Sequence, residues 1–357
     1  MIKDSDNIPS RYENLGFHGG GGFGYAYLFK DIHLERKVIV KTISSSEESL
    51  RHKDEINALS KITSNHVVKV YDVLELNSES LGIVMEYIEG EDLSNPLEQI
   101  NSSDELLKVL WQVSSGINDI HNCGVIHRDI KHNNMKFDSE GILKIFDFGL
   151  SRNEGIDAAT IGFKGTLYYA APETLNNSLV EFTSAIDVYS YGILSLHLIG
   201  YNFPIEMKNG PPDSVEGVFA CKYLDSYPEI QSILEQCLSS YPSERPKISE
   251  VKDVLQRYLL YDKHKALLTY DTQQHTLDKD NKRVKLNLEN IGGCEIHYNG
   301  NDFIVKNVTG EVYINNNPLH NNFLMEGSTL ISIGSSERSY MNRIFITFDI
   351  SNPEVVI

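Results

Sequence analysis

Apolar and polar residues alternate along the first third of the chain. Residues 16–30 place a glycine-rich turn among apolar and aromatic positions, and residues 36–43 form a short β-branched run. Residues 67–76 and 81–88 are again rich in β-branched residues, and the polar stretch between them favours a hairpin. Such runs predict β-strands, because branched side chains pack well on a pleated surface. Between the strands, residues 47–62 repeat apolar positions near helical spacing and predict a helix.

From about residue 93 the apolar positions follow the helical period. Residues 104–123 predict a helix, with Ser103 and Asp104 as candidate N-cap residues and Gly124 as its terminator. Further helical patterns cover residues 184–199, 229–238 and 248–261, and short strands are predicted at 125–126 and 142–145. The most apolar long run, residues 188–200, is too short to span a bilayer and contains His197, so it predicts a buried helix.

The character of the chain changes again after residue 265. Residues 266–357 are rich in Asn, Gly and β-branched residues, with turn signals at short, regular intervals. That spacing is typical of a small all-β sandwich. We therefore predict a linker at residues 263–270 and a β-sandwich over residues 271–357.

Length and charge narrow the class of protein. A chain of 357 residues has room for two or three domains, and its net charge of −18 argues against nucleic acid or a membrane surface as partner, because phosphates repel it. Its polar first residues lack the apolar core of a secretory signal. The four cysteines show no zinc-site spacing. Reduced thiols and a cytoplasmic location are expected.

Two short motifs in the first part of the chain suit phosphate binding. Residues 18–26 (HGGGGFGYA) form a glycine run whose backbone N–H groups can approach a phosphate, although a lone run of this kind is more often a hairpin tip. Lys41 ends the run VIVK, where an acid on the following helix would fix its ammonium over a phosphate. Glu55 is the candidate acid and Asp54 is its competitor.

Two later motifs suit phosphoryl transfer. Residues 127–134 (HRDIKHNN) combine Asp129 to accept a proton, Lys131 to neutralise a transferring phosphoryl group and Asn134 to ligate a metal. A polar turn stabilised by side chains is the alternative interpretation. Residues 147–149 (DFG) follow an apolar strand, so that Asp147 offers a hard oxygen ligand beside a glycine hinge.

In this order the four motifs resemble the signature of eukaryotic-type protein kinases. The resemblance implies an α+β fold with a kinase domain over residues 12–262, whose β-rich N-lobe covers 12–88 and whose helical C-lobe covers 89–262. It implies ATP and Mg²⁺ (or Mn²⁺) as cofactors and proteins as substrates. Lys131 and the segment 165–169 (GTLYY) resemble the Ser/Thr branch. A catalytically silent scaffold is the competing interpretation.

The resemblance also assigns roles to single residues. Asp129 is the expected catalytic base, Lys131 contacts the γ-phosphate, and Thr166 hydrogen-bonds near both. Lys41 contacts the α- and β-phosphates and pairs with Glu55. The expected metal ligands are Asn134 and Asp147. The expected ATP-binding residues are Gly19, Gly20, Gly21, Gly22, Phe23, Gly24, Ala26, Ile39, Lys41, Met85, Glu86, Ile88 and Lys136.

Further residues are expected to support or regulate that site. Asp187 anchors residues 127–134, which are called the catalytic loop below, and Glu173 pairs with Arg245. Arg128 beside Asp129 resembles kinases switched by phosphorylation of the activation segment, because a phosphate there would pair with it. Thr160 is the first phosphosite candidate and Ser151 the second, since Ser151 lies close to the metal-binding turn.

The chain departs from the family at four positions near the site. Ile39 replaces a small residue over adenine, His132 replaces the usual proline, and Lys136 stands where an apolar contact is common. Phe146 is a bulky choice before Asp147. None of the four removes a catalytic group.

The C-terminal region carries a second resemblance, to the latter half of a forkhead-associated (FHA) domain, over residues 291–334. Residues 312–319 (VYINNNPL) occupy its hairpin, with Asn316 and Asn317 where glycine is usual. That family binds phosphothreonine with an Arg and a Ser. Where those residues would be expected, residues 292–294 of this chain are GGC. The basic cluster Lys282, Arg283 and Lys285 is a candidate substitute. Two roles stay open: binding a phosphothreonine peptide, and docking on the kinase domain or a partner without reading phosphate.

Overall fold

The computed structural model describes residues 7–21, 24–44, 60–77, 80–93, 100–147, 152–153, 169–175, 183–201, 203, 216–351 and 353–357. The chain divides into two compact units, Met1–Val254 and Leu255–Ile357. The division falls within the last long helix, before the predicted end of the kinase domain at residue 262.

An antiparallel five-stranded sheet begins the first unit. Its strands are β1 (Tyr12–Gly21), β2 (Gly24–Asp31), β3 (Arg36–Ser44), β4 (Val70–Asn77) and β5 (Ser80–Glu86), in the order β1-β2-β3-β5-β4. Alternation predicted these strands, and the buried positions follow it: Phe29, Val38, Val40 and Val84 lie on the core side. The predicted helix at residues 47–62 falls mostly outside the described residues.

The rest of the first unit is mainly helical. Its described helices are α1 (Ser103–Asn122), α2 (Ala185–Leu198), α3 (Pro228–Cys237) and α4 (Ile248–Leu260), the last of which runs into the second unit. Short strands pair as β6 (Val125–Ile126) with β9 (Arg152–Asn153), and β7 (Met135–Phe137) with β8 (Leu143–Ile145). The predicted helices are confirmed to within a residue or two at each end. Helix α2 is buried along almost its whole length, as its apolar run predicts.

The N-cap of α1 is a correction to the sequence-based prediction. Ser102, and not Ser103 or Asp104, has the extended backbone of a cap, and its hydroxyl accepts the N–H of Glu105 at 3.2 Å. The Glu105 carboxylate reaches back to the N–H of Asn101 at 2.7 Å. These two hydrogen bonds satisfy two backbone N–H groups at the start of the helix. They explain why the N-cap is Ser102 and not one of its neighbours Ser103 and Asp104. Gly124 follows the helix at φ 71°, the expected terminating conformation.

The second unit consists mainly of two antiparallel sheets. One has the order β11-β10-β19-β18-β15-β16 and the other β12-β13-β14-β17. The strands are β10 (Ala266–Tyr270), β11 (Gln273–Leu277), β12 (Arg283–Leu288), β13 (Gly292–Tyr298), β14 (Phe303–Gly310), β15 (Val312–Ile314), β16 (Asn317–Pro318), β17 (Leu324–Met325), β18 (Thr329–Ile333) and β19 (Ile344–Ile350); a short helix, α5 (Pro353–Val356), ends the unit. One core receives Leu268, Ile331 and Phe348 from the first sheet and Ile296 and Val305 from the second. The predicted all-β character is confirmed.

Two details of the second unit differ from the prediction. Residues 266–270 of the predicted linker form β10, because Ala266 and Leu268 face the core in strict alternation. Ile314 pairs with Asn317, so that the turn consists of Asn315 and Asn316, at φ 46° and 67°. A two-residue hairpin turn with positive φ at both positions accounts for two asparagines there, and Asn317 belongs to β16.

Among the helices of the described residues, none combines the length and apolar character needed to cross a bilayer.

Candidate active site

Asp187, at the start of α2, holds the backbone of the segment that carries Asp129. Its carboxylate accepts the N–H groups of His127 and Arg128, each at 2.8 Å, and hydrogen-bonds His121 Nε2 at 2.9 Å. Burial acts to raise the pKa of Asp187, but these hydrogen bonds and charges outweigh it and leave the pKa below its usual value. Asp187 is therefore an ionised, fully buried anchor for this loop.

Lys131 and Asn134 converge on the carboxylate of Asp129. The Asp129 Oδ2 atom accepts Lys131 Nζ at 2.8 Å and Asn134 Nδ2 at 2.9 Å. Asn134 Nδ2 also donates to the backbone oxygen of Asp129 at 2.8 Å. The amide nitrogen is thus turned toward Asp129, so that the Asn134 side-chain oxygen is the atom that would meet a cation. Among the described residues, both side-chain hydrogen bonds to this carboxylate go to Oδ2.

Lys41 and Asp147, from β3 and from the segment after β8, are in direct contact. Lys41 Nζ, on β3, donates to Asp147 Oδ1, which follows β8. Asp147 has φ 65°, a backbone conformation that non-glycine residues seldom adopt. The amine predicted to bind phosphate and the carboxylate predicted to bind metal therefore share one locality.

His127 links the catalytic loop to the residue before Asp147. It is fully buried, with its Nε2 atom 3.2 Å from the backbone oxygen of Phe146 and its Nδ1 atom accepting the N–H of Asp129 at 3.3 Å. Burial lowers the pKa of His127, which keeps the imidazole neutral. A neutral ring with its proton on Nε2 satisfies both contacts.

The described residues predicted to bind the nucleotide lie mainly on β1, β2, β3, β5 and β7. Ile39 pairs with Met85 across the sheet, and Ile39 and Ile88 are both largely buried. Glu86 is held by Lys144, whose Nζ lies 3.1 Å from Glu86 Oε1. In β1 and β2, Gly19 pairs with Ala26 and Gly21 with Gly24. Lys136 lies on β7, where its backbone bridges to Asp92.

Glu173 and Arg245 form a two-pronged ion pair. Arg245 Nη1 meets Glu173 Oε1 and Nη2 meets Oε2, both at 2.7 Å. The Arg245 side chain is fully buried and also donates to the backbone oxygens of Ser239 and Ala185. The pair therefore fixes the segment that contains Glu173 to the connection between α3 and α4.

Comparison with known proteins decides the family. The model of the protein kinase domain matches residues 12–259. The chain belongs to the protein kinase family. Within this kinase chain, residues 12–259 form the protein kinase domain, and several similar proteins are named serine/threonine-protein kinases.

Three curated relatives match a little over half of this chain. The serine/threonine-protein kinase drp72 of Corynebacterium efficiens is 36% identical over 200 residues, which are 52% of this chain and 38% of that protein. PrkC of Bacillus subtilis is 31% identical over 213 residues, 56% of this chain and 32% of that protein. Rat ribosomal protein S6 kinase alpha-1 is 30% identical over 212 residues, 56% of this chain and 28% of that protein. The match thus spans roughly a third of each of these relatives.

Several predicted site residues lie outside the described residues. They are Gly22, Phe23, Asp54, Glu55, Ser151, Thr160 and Thr166. The predicted pairing of Lys41 with Glu55 stays a prediction, and the contact that the structure gives Lys41 is with Asp147.

The oxygen donors of Asn134 and Asp147 fit a divalent metal ion bound together with a nucleotide. An amide oxygen and a carboxylate are hard ligands of the kind that such ions select, and the remaining ligands commonly come from water and phosphates. The described residues contain no group of three or more His, Cys, Asp or Glu side chains that could hold a metal ion.

Sequence reasoning missed three residues that shape the site. His121 holds Asp187, Lys144 holds Glu86, and Tyr169 hydrogen-bonds His132. Burial, then the neighbouring imidazole of His197, lower the pKa of His132 to about 4. A signal was present for Lys144, a lone charge within an apolar strand, and for His132, which departs from the family's proline.

Proposed function

We propose that this chain is an active serine/threonine protein kinase that transfers the γ-phosphoryl group of ATP to Ser or Thr hydroxyl groups of proteins. The observation that carries the proposal is the convergence of Lys131 and Asn134 on the Asp129 carboxylate, with Lys41 and Asp147 in mutual contact. A base, a phosphate-binding amine and oxygen ligands for a metal are the parts that phosphoryl transfer needs.

Each residue has a separate task in the proposed reaction. Asp129 orients the substrate hydroxyl and takes its proton at Oδ1, since the described side-chain hydrogen bonds to this carboxylate go to Oδ2. The hydroxyl oxygen forms the new bond to phosphorus, the bond to the β-phosphate oxygen breaks, and ADP leaves. Lys131 and Lys41 offset the phosphate charge. Mg²⁺ or Mn²⁺, held by Asn134 and Asp147, would supply further charge neutralisation when bound with ATP.

The test is incorporation of the γ-phosphate into a protein substrate by the full chain and by Asp129→Asn. We expect the variant to lose about 10²- to 10⁴-fold in rate, the usual value of a positioned general base. Nucleotide binding should persist in the variant, because Asp129 does not hold the nucleotide. Equal incorporation by both proteins would leave only contaminating activity and would favour the scaffold interpretation.

We further propose that the kinase phosphorylates Thr160 in its own activation segment and that Arg128 pairs with the phosphate. Arg128 supports this by its place directly before Asp129, where a bound phosphate would act on the catalytic loop. Phosphosite mapping of the active full chain, with Thr160→Ala compared with Ser151→Ala, tests it. An active protein unmodified at residue 160 would contradict the proposal.

For the C-terminal unit we propose docking on a partner, with an FHA-like architecture but without reading phosphate. One cation of the basic cluster is already engaged: Arg283 Nη2 lies 2.7 Å from Glu295 Oε1. His297 and Asn307 contact the other oxygen of Glu295 at 2.9 Å. A phosphate that approached Arg283 would meet the neighbouring Glu295 carboxylate, and the two negative charges would repel.

Phosphothreonine binding through Lys282 and Lys285 is the second candidate for this unit. Titration of the full chain with a peptide centred on residue 160, phosphorylated and unphosphorylated, separates the two roles. Equal affinities support docking without phosphate reading. A preference for the phosphopeptide that Lys282→Ala with Lys285→Ala abolishes would establish the second candidate. A cytoplasmic location also stays a prediction.

A further inference from the structure

Four side chains form a closed ring of contacts between the catalytic loop, residues 169–171 and helix α2. Tyr169 OH lies 2.8 Å from His132 Nδ1, and the His132 ring stacks on His197 with centroids 4.3 Å apart and planes at 21°. Ser190 Oγ donates to the backbone oxygen of Tyr169 at 2.9 Å. Since Ser190 and His197 lie two turns apart on α2, the ring closes through that helix.

The Tyr169 hydroxyl and His132 Nδ1 form the hydrogen bond of this ring, at 2.8 Å. In a neutral imidazole Nδ1 is either the donor or the acceptor, and the hydroxyl can take the opposite role. Tyr169 is only 5% exposed, so that water is a poor substitute for this contact. The family's usual proline at residue 132 has no imidazole that could make it. The chain thus carries a link that a proline at this place cannot make.

The link acts on a segment that lies beside the catalytic base. A small cavity is lined by Arg128 and Asp129 together with Tyr169, Ala170 and Ala171. His132 follows Lys131 directly, so that one short loop carries the base, the phosphate-binding amine and the imidazole. Fixing Tyr169 to His132 therefore fixes residues 169–171 relative to Asp129.

We propose that His132 is a positioning residue for the protein substrate, acting through Tyr169 on residues 169–171. This inference rests on the proposed kinase activity. The effects on the two substrates are expected to differ, since residues 169–171 line the cavity at Asp129, which meets the protein hydroxyl in the proposed reaction, whereas Lys41 and Asp147 serve the nucleotide. Loss of the link is expected to weaken use of the peptide substrate and to leave use of ATP unchanged.

Tyr169→Phe is the central variant, because it removes one hydroxyl group and keeps the ring. We expect its KM for a peptide substrate to rise about 3- to 10-fold, the equivalent of one buried hydrogen bond, with an unchanged KM for ATP. His132→Ala should give a similar rise. The peptide KM of the double variant should be no higher than that of the more impaired single variant, because both changes break the same link.

The matched control is Tyr191→Phe, which removes another buried phenol hydroxyl from α2. Tyr191 OH donates to the backbone oxygen of Leu110 at 3.1 Å, and Tyr191 does not line the cavity at Asp129. It should lower the melting temperature without moving the peptide KM. His132→Pro, which replaces the imidazole with the family's usual residue, should raise the peptide KM as His132→Ala does.

The outcomes separate positioning from simple packing. A Tyr169→Phe enzyme with a lowered melting temperature and a wild-type peptide KM would overturn the inference, as would equal rises in the peptide and ATP KM values. Additive effects in the double variant would also contradict it. A wild-type chain that transfers no phosphate would refute the proposed function instead, so that the two failures are distinguishable.

Discussion

The carboxylate of Asp187 accepts the backbone N–H of Arg128 at 2.8 Å, although 59 residues separate them in the sequence. Arg128 has φ 68°, a left-handed conformation that costs a residue with a side chain about 1–3 kcal/mol. The same carboxylate holds the N–H of His127. A buried anion on a rigid helix therefore maintains a strained backbone directly before Asp129.

Replacement of that anchor should affect both stability and catalysis. We expect Asp187→Ala to lower the free energy of unfolding by about 3 kcal/mol or more, because it leaves buried N–H groups without an acceptor. The rate of phosphate transfer should also fall, because the loop that carries Asp129 loses its fixed backbone. The single tryptophan, Trp111 on the buried side of α1, allows unfolding in urea to be followed by fluorescence. His121→Ala, which removes one of the three donors, should cost less.

The stability difference between wild type and Asp187→Ala should depend on pH in a defined direction. Because the pKa of Asp187 is lowered in the folded chain, its contribution is present above the ordinary carboxyl pKa and is lost as the pH falls through the folded value. The stability difference between wild type and Asp187→Ala should therefore shrink in acid. A difference that stays constant down to the lowest pH at which the wild type folds would contradict this role.

Local patterns predicted most of the elements and the motif residues, but not the contacts among them. Alternation and helical spacing located the strands and helices, since one face of each element is buried. Lys41 and Asp147, or His132 and Tyr169, meet only because the fold brings distant segments together. The family resemblance supplied expected roles for the first two, and nothing in the sequence pattern paired the last two.

The Glu173–Arg245 pair is expected to be strongly coupled to stability. Glu173→Ala leaves a buried guanidinium without its two-pronged partner, so we expect a loss of about 3–5 kcal/mol in the free energy of unfolding. Glu89→Ala is the control, since it breaks the Lys37–Glu89 pair, which is about half exposed, and should cost no more than ~1 kcal/mol. Equal losses in the two variants, measured by Trp111 fluorescence, would contradict a structural role for the buried pair.

The contact between Lys41 and Asp147 leads to a prediction about metal dependence. Binding of a metal–nucleotide complex should separate them, with Asp147 moving to the metal and Lys41 to the phosphates. We expect Mg²⁺ to tighten ATP binding by wild type and to have little effect on Asp147→Asn, a difference of about tenfold or more in Kd. Lys41→Met should weaken binding both with and without metal.

Calorimetric titration with ATP, in Mg²⁺ and in chelator, measures these affinities directly. Glu140→Gln, an exposed carboxylate in the turn between β7 and β8, is the matched charge control and should behave as wild type. Retention of the full metal effect by Asp147→Asn would show that another group holds the ion.

The hairpin turn of Asn315 and Asn316 predicts how single substitutions act on the second unit. Both residues have positive φ, and a β-branched residue there should cost about 1–2 kcal/mol, whereas glycine adopts this conformation freely. Asn315 is also needed for its side chain, whose oxygen accepts the N–H of Leu330 at 3.1 Å, so Asn316 is the cleaner position to test. We expect Asn316→Val to destabilise the hairpin and Asn316→Gly to leave it unchanged or more stable.

Asn317→Val is the matched control, because residue 317 is exposed and lies in β16. It should change stability by no more than about 0.5 kcal/mol, as substitutions at exposed positions usually do. Hydrogen–deuterium exchange of residues 312–319 in the full chain reports on the hairpin, where tryptophan fluorescence does not, since the one tryptophan lies in the first unit. Faster exchange in Asn317→Val than in Asn316→Val would place the turn one residue later, at the position that the sequence resemblance first suggested.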